Sequence, residues 1–199
     1  MGTYVQFGSG FSTAEDWISF DASPTLRIER LPLVGGVLAR LAHNSEPFPA
    51  TTRFGDVVAG LPLPDGSVDG LYASHVLEHL PFEDMRRALA ESFRILAPTG
   101  VFRLIVPDLR ERARRYLVAD SDPEAAHDFM RATFLGHETR ARTPLGRLRA
   151  ALGNSAHLWM FDYPAMASEL ERAGFVAIRP AAFGDAEDPM FVRVENYDR

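Results

Sequence analysis

Short apolar runs that end at glycine or at a polar residue recur along this chain, and they predict β-strands. Seven runs have the length of buried strands, and several are followed directly by turn residues such as Gly8, Asp21 or Pro107. The predicted strands cover residues 4–7, 17–20, 51–54, 68–73, 101–106, 176–181 and 191–194.

Helical periodicity is clearest between the fourth and fifth predicted strands. Pro81 suits a first helical position, and apolar residues then recur at helical spacing until Pro98 and Gly100 stop the pattern. A second helix is predicted from Pro164 to Ala173, with Gly174 as its C-cap. Residues 31–42 are apolar but contain a proline and two adjacent glycines, so they predict a helix only weakly.

The alternation of strands and helices predicts one doubly wound α/β domain over residues 1–199. Residues 109–156 interrupt the alternation with a polar, arginine-rich, helical pattern. We interpret them as an inserted helical cap and not as a separate domain. In such sheets, ligands bind beyond the carboxyl ends of the strands.

Composition removes several classes of protein. The chain has no cysteine, which excludes disulfides and thiolate metal sites, and all 21 basic residues are arginine, which excludes a P-loop lysine and a Schiff-base lysine. A net charge of -6 argues against general nucleic-acid binding. No apolar run has the length of a membrane span and no signal peptide is evident, so we expect a cytoplasmic protein.

Glycines and an acid lie where a nucleotide ligand would bind. Gly8 and Gly10 follow the first predicted strand, and Asp21 ends the second. Glycine lets the backbone approach a ligand, and a carboxylate can hold two ribose hydroxyls. A dinucleotide site would have a third glycine near Thr13 and an acid further along the chain, so NAD and FAD are disfavoured. Turn residues without a ligand remain the alternative interpretation.

Four segments together resemble class I S-adenosylmethionine-dependent methyltransferases, in a compact branch often associated with surface glycan or secondary metabolism. They read Y-V-Q-F-G-S-G, W-I-S-F-D, F-G-D-V-V-A-G-L-P-L-P-D-G-S-V-D-G-L-Y-A-S-H-V-L-E-H-L and R-I-L-A-P-T-G-V-F-R-L-I-V-P-D-L. The resemblance implies a Rossmann-like, seven-stranded, mostly parallel sheet that binds S-adenosylmethionine.

The resemblance also implies roles for individual residues. Asp21 would bind the ribose, Asp56 and Val57 the adenine, and the loop after the first strand the methionine part, while Ser74 and His75 would face the reacting atoms. The implied cofactor-binding residues are Phe7, Gly8, Ser9, Gly10, Asp21, Asp56, Val57 and Ser74. Only six residues separate Gly10 from the second strand, too few for the usual helix. This short connection favours an open, partner-completed or degenerate cofactor pocket.

The segment from His75 to His79 is open to three interpretations. H-x-x-E-H matches an inverted zinc-protease motif, but little helix is predicted to carry it. Some methyltransferases that act on RNA or quinone hydroxyls hold a divalent metal with E-x-x-E-H, where His75 here replaces the first Glu. We favour the third interpretation, without a metal: Glu78 and His79 brace the next helix, and His75 alone lies near the substrate.

The predicted function is methyl transfer from S-adenosylmethionine to oxygen or nitrogen of a small molecule or glycan. His75 is the first candidate for the catalytic base and His157 the second. Arginines at 140, 142, 147 and 149, with no acid between them, are consistent with an anionic acceptor or with a solvated helix face. The alternative function is a non-enzymatic, methyltransferase-like binding subunit. A homodimer is also an open prediction.

Overall fold

The computed structural model describes residues 2–32, 35, 47–119, 121–136, 138–139, 142–143 and 156–195. Within these ranges five strands form one parallel sheet in the order β3-β2-β1-β4-β5. The strands are β1 (Tyr4–Phe7), β2 (Trp17–Asp21), β3 (Arg53–Phe54), β4 (Val68–Ser74) and β5 (Leu96–Ile105). The predicted α/β class with a parallel sheet is confirmed.

The described helices lie between and after these strands. The five α-helices are α1 (Pro24–Glu29), α2 (Phe82–Ile95), α3 (Leu109–Val118), α4 (Ala125–Ala132) and α5 (Tyr163–Ala173), and two short 3₁₀ helices span Leu77–His79 and Pro189–Arg193. Gly174 ends α5 with a φ of 107°, as its predicted C-cap role requires. No helix in the described ranges combines the length and apolar character that crossing a bilayer requires.

One face of the sheet carries the main core. Alternate side chains of β1, β2 and β4 point to this face, where α2 and α5 cover them. The bidentate pair of Arg86 with Glu169, at 2.8 and 3.1 Å, joins the two helices at their rim. The buried residues of this core include Val5, Phe7, Phe20, Leu71, Ala73, Met85, Leu89, Met166 and Leu170.

The opposite face is covered by the C-terminal segment. Residues 8–16, all of them described, contain no helix, so the β1–β2 connection does not cover this face. Phe191 packs there against Trp17 of β2, with ring centroids 5.5 Å apart, and the Trp17 indole N–H donates to the carbonyl of Met190. The C-terminal 3₁₀ helix thus shields a face that a crossover helix would otherwise shield.

Two predicted strands are wrong. Residues 176–181 are irregular, and residues 191–194 lie in or just after the C-terminal 3₁₀ helix, so the described ranges contain five strands instead of seven. Ile178 packs on the main core and Phe191 and Val194 on the opposite face as single side chains, whereas Val176 and Val192 are exposed. β5 also begins at Leu96, five residues earlier than predicted, because α2 already ends at Ile95.

The inserted cap is described only in part. Helices α3 and α4 lie in the first half of residues 109–156, whereas residues 144–155 lie outside the described residues, and the inserted cap stays a prediction. Residues 36–42 of the weakly predicted helix also lie outside them.

Arg103 of β5 holds the C-terminal segment against the sheet. Its side chain is only 9% exposed and forms ion pairs with Glu195 and with Asp185, the latter at 2.7 Å. The guanidinium also donates to the carbonyl of Ala182 at 2.6 Å. Because a buried charge needs such partners, this network fixes the segment that covers the second face.

Arg103→Ala is expected to lower the free energy of unfolding by about 3–5 kcal/mol, because the Glu195 carboxylate, 2% exposed, would keep its charge with only the N–H of Gly184 as a partner. Arg87→Ala is the control: its pair with Asp84 involves an arginine side chain that is 69% exposed, and its loss should cost at most about 1 kcal/mol. Urea denaturation of both variants measures the difference. Equal losses would contradict the anchoring role of Arg103.

Candidate functional site

Parallel pairing brings the carboxyl ends of three strands to one edge of the sheet. Phe7 at the end of β1 lies beside Phe20 on β2 and beside Ala73 on β4. The residues that follow these positions along the chain therefore surround a common space. This is the edge at which doubly wound sheets bind ligands.

Two glycines after β1 serve different purposes. Gly8 has a φ of 63°, and a Cβ added there would lie 2.3 Å from Cγ2 of Val76, so this position needs glycine for packing. Gly10 has a φ of 55°, but its added Cβ would meet no described atom within 4 Å. The backbone at Gly10 thus borders open space into which a ligand could fit.

The Asp21 carboxylate connects the loops at this edge. It is 5% exposed, and it accepts hydrogen bonds from the backbone N–H of Gly10 at 2.8 Å and of Ser23 at 2.7 Å. The carbonyl of Asp21 accepts from the N–H of Gly55 after β3. Since each carboxylate oxygen has two acceptor sites, both oxygens of Asp21 keep one for a ligand hydroxyl.

The loop after β3 contributes Asp56 and Val57. Asp56 accepts from the N–H of Val58 at 2.9 Å and thereby shapes the turn, while the Val57 side chain lies in the main core. Phe7 is likewise buried in the core, where its ring packs 6.1 Å from that of Phe102. Val57 and Phe7 therefore offer the edge only their backbone atoms.

Two buried hydroxyls at the edge have no hydrogen-bond partner among the described residues. They are Oγ of Ser9, in the glycine loop, and Oγ of Ser74, at the end of β4. A buried hydroxyl without a partner is costly, so such groups are commonly satisfied by a ligand or by water. With the open space at Gly10, these atoms fit a polar ligand bound at this edge.

His75 follows β4 in an unusual backbone conformation. Its φ is 54°, and its N–H donates to the carbonyl of Ile105, which fixes the turn. Nδ1 of the imidazole lies 2.9 Å from Oε1 of Glu78, and the His75 side chain is 38% exposed whereas that of Glu78 is fully buried. A buried carboxylate thus orients an accessible imidazole, an arrangement that suits proton transfer.

His157 lies next to Glu78 and His79, although it is about 80 residues further along the chain. The rings of His79 and His157 stand 5.0 Å apart, and the carbonyl of Glu78 accepts from the N–H groups of Leu158 and Trp159 at 2.7 and 3.1 Å. Burial lowers the pKa of the His157 imidazole and favours its neutral form. The sequence identified each residue, but no local signal indicates that the two segments meet.

Two aromatic side chains that follow His157 in the chain also have partners in the structure. The Trp159 ring packs 4.7 Å from that of Phe82 at the start of α2, and the Tyr163 hydroxyl lies near the carbonyl of Ile178. Of the arginine stretch, positions 140, 147 and 149 lie outside the described residues. Its predicted contact with an anionic acceptor stays a prediction.

Residues 19–104, which include β3, β4 and most of β2 and β5, match a family model described as a methyltransferase domain. A curated relative from Mycolicibacterium smegmatis, named "Probable S-adenosylmethionine-dependent methyltransferase", is 39% identical over 70 residues, which are 35% of this chain and 26% of the relative. The chain therefore spans about a quarter of that relative's length. These matches confirm the resemblance to S-adenosylmethionine-dependent methyltransferases that the motifs predict.

Two solved structures of S-adenosylmethionine-dependent methyltransferases are similar to this chain. The one from Thermotoga maritima is 18% identical, covers 88% of this chain and 64% of its own, and has a TM-score of 0.46. The one from Archaeoglobus fulgidus is 12% identical, covers 87% of this chain and 61% of its own, and also has a TM-score of 0.46.

Gly8→Ala is expected to destabilise the protein more than Gly10→Ala. Both changes force a residue with a Cβ into a left-handed conformation, at about 1–2 kcal/mol, but only Gly8→Ala also collides with Val76, which adds about 1–3 kcal/mol. Chemical denaturation of the two variants gives the difference. A Gly8→Ala variant as stable as Gly10→Ala would show that the loop is not fixed against Val76.

Proposed function

We propose that this protein is an S-adenosylmethionine-dependent methyltransferase that acts on oxygen or nitrogen of a small molecule or glycan. The observation that carries the proposal is the open space at Gly10, bordered by the buried Asp21 carboxylate, within a chain whose residues 19–104 match a methyltransferase domain. A left-handed glycine beside a buried acid at a strand edge suits a ribose and its neighbouring groups.

The cofactor would be held by the residues that surround this space. Asp21 has acceptor sites left for ribose hydroxyls, and the unpartnered hydroxyls of Ser9 and Ser74 are candidates for the polar methionine end. Asp56 and the backbone of Val57 would contact the adenine. When bound, S-adenosylmethionine supplies an electrophilic methyl group on a positively charged sulfur.

Transfer of this methyl group depends mainly on alignment of the acceptor, so few side chains need to react. An acceptor hydroxyl or a protonated amine must lose a proton, and His75 is the candidate base. Because Nδ1 of His75 is engaged with Glu78, Nε2 is the nitrogen available to take that proton. His157, buried and turned toward His79, is a weaker candidate.

A methyltransferase-like binding subunit without activity is the second candidate function. Two observations favour it. The β1–β2 connection contains no helix, and the Asp21 carboxylate already accepts hydrogen bonds from two backbone N–H groups. Calorimetric titration with S-adenosylmethionine and with its demethylated product separates the two candidates. Absence of heat with both compounds would contradict the enzyme and favour the binding subunit.

Asp21→Asn is expected to weaken S-adenosylmethionine binding about 10- to 150-fold, which corresponds to the roughly 1.5–3 kcal/mol of a hydrogen bond to a charged group. Asp69→Asn is the matched control. Asp69 also accepts a hydrogen bond from a backbone N–H, that of Thr3, but it lies near the amino end of β4, away from the proposed site. Calorimetry measures affinity, and circular dichroism verifies folding. Unchanged affinity in folded Asp21→Asn would remove Asp21 from the site.

His75→Asn is expected to lower kcat of methyl transfer about 10²- to 10⁴-fold while cofactor affinity is retained. Asparagine tolerates the left-handed backbone at this position but lacks the basic Nε2 nitrogen. His127→Asn, at an exposed position in α4, is the control. Full turnover by His75→Asn would leave alignment of the acceptor as the source of catalysis.

A further inference from the structure

A cluster of three potential metal ligands lies beside the proposed acceptor position, and the proposed reaction uses only one oxygen of it, Oε1 of Glu78, to orient His75. Glu78, His79 and His157 each offer one ligand atom, and these atoms lie within 4.8 Å of one another. Two of the residues follow β4 and the third precedes α5, so the fold alone brings them together. Glu78 is fully buried, and His157 is 8% exposed.

Two ligand atoms of this cluster are buried without a hydrogen-bond partner in the part of the chain that the structure describes. They are Oε2 of Glu78 and Nδ1 of His157. The other carboxylate oxygen, Oε1, is engaged with His75 at 2.9 Å. A buried carboxylate oxygen facing two imidazoles is costly unless a cation or a donor satisfies it.

A hydrogen bond on one side of the His79 ring leaves its other nitrogen able to coordinate. Nδ1 of His79 lies 3.0 Å from the carbonyl of Ala156, which can only accept, so Nδ1 carries the proton and Nε2 is free to coordinate. Nδ1 of His157 is buried and has no hydrogen-bond partner among the described residues. Metal-bound histidines are typically oriented by bonds such as that of His79 to a backbone carbonyl.

We propose that Glu78, His79 and His157 form a binding site for a divalent first-row transition metal ion, with His75 orienting the carboxylate. Two imidazole nitrogens and one carboxylate oxygen favour Zn²⁺ and similar ions over Mg²⁺ or Ca²⁺, which prefer all-oxygen sites. Tetrahedral zinc bonds of about 2.1 Å place two ligand atoms about 3.4 Å apart, so atoms within 4.8 Å of one another must approach by at most about 1.4 Å.

Three protein ligands leave a coordination position open, as in metal sites that bind substrate or water. This ligand set differs from the H-x-x-E-H interpretation of the sequence, because His157 takes the place of His75. The proposal does not depend on methyl transfer, since the site consists of contacts within the chain. The metal site and the methyltransferase function can therefore fail separately.

The test is calorimetric titration of the untagged full chain with Zn²⁺, with Mg²⁺ in parallel. We expect one Zn²⁺ per chain and a rise in melting temperature with Zn²⁺ concentration, as for a ligand that binds the folded state, with weak or no response to Mg²⁺. This measurement on the unmodified protein needs no variant. Absence of a saturable Zn²⁺ site would overturn the proposal.

Three variants remove one ligand each. His79→Asn retains a donor for the carbonyl of Ala156, and Glu78→Gln retains the oxygen that faces His75. His157→Gln replaces the imidazole with a side chain of similar length. Each should weaken Zn²⁺ binding by more than the roughly 10- to 100-fold that loss of an outer partner costs. His127→Asn, at an exposed histidine outside the cluster, should leave the affinity unchanged.

Any one of the three variants that folds is sufficient, and the melting transition without metal identifies those that fold. If a folded ligand variant binds Zn²⁺ as tightly as the unmodified chain, the ion binds elsewhere and the proposal is wrong. If His127→Asn abolishes binding, the site lies on the surface of α4, and the proposal is wrong as well.

Discussion

A carboxylate removed from water must receive hydrogen bonds or a positive charge, and two buried carboxylates at the sheet edge impose this condition on everything around them. Asp21 meets it with backbone N–H groups from the loops after β1 and β2. Glu78 meets it only in part, with one oxygen engaged by His75 and the other unpartnered among the described residues. The hydrogen bonds that these two carboxylates require therefore position the loops at this edge.

The short β1–β2 connection has a structural consequence on the other side of the sheet. Because residues 8–16 form no helix, the side chains of β2 and β4 that point away from the main core need another cover. The C-terminal segment supplies it through Phe191, and Arg103 fixes that segment with a buried ion-pair network. A segment about 180 residues away thus compensates for the missing helix of the β1–β2 connection. The glycine loop stays free for a ligand.

The segment around His157 shows how a distant element can complete a site. The N–H groups of Leu158 and Trp159 donate to the Glu78 carbonyl, and Asp108 pairs with Phe161 in an isolated parallel bridge. These backbone contacts place the His157 ring against His79. The second buried acid therefore lies between an exposed histidine on one side and two further histidines on the other.

The sequence by itself determined the strand positions of the first half, the helix that begins after Pro81, and the glycines and Asp21 at the strand ends, because each depends on local periodicity or on a local backbone requirement. It failed at residues 176–181 and 191–194, where Phe191 is buried and Ile178 partly buried as single side chains and the backbone forms no strand. Only the tertiary structure decided that His157 joins Glu78 and His79, or that Gly8 needs glycine because of Val76. Such contacts join residues that are far apart in the chain. The local periodicity from which strands and helices are predicted carries no information about them.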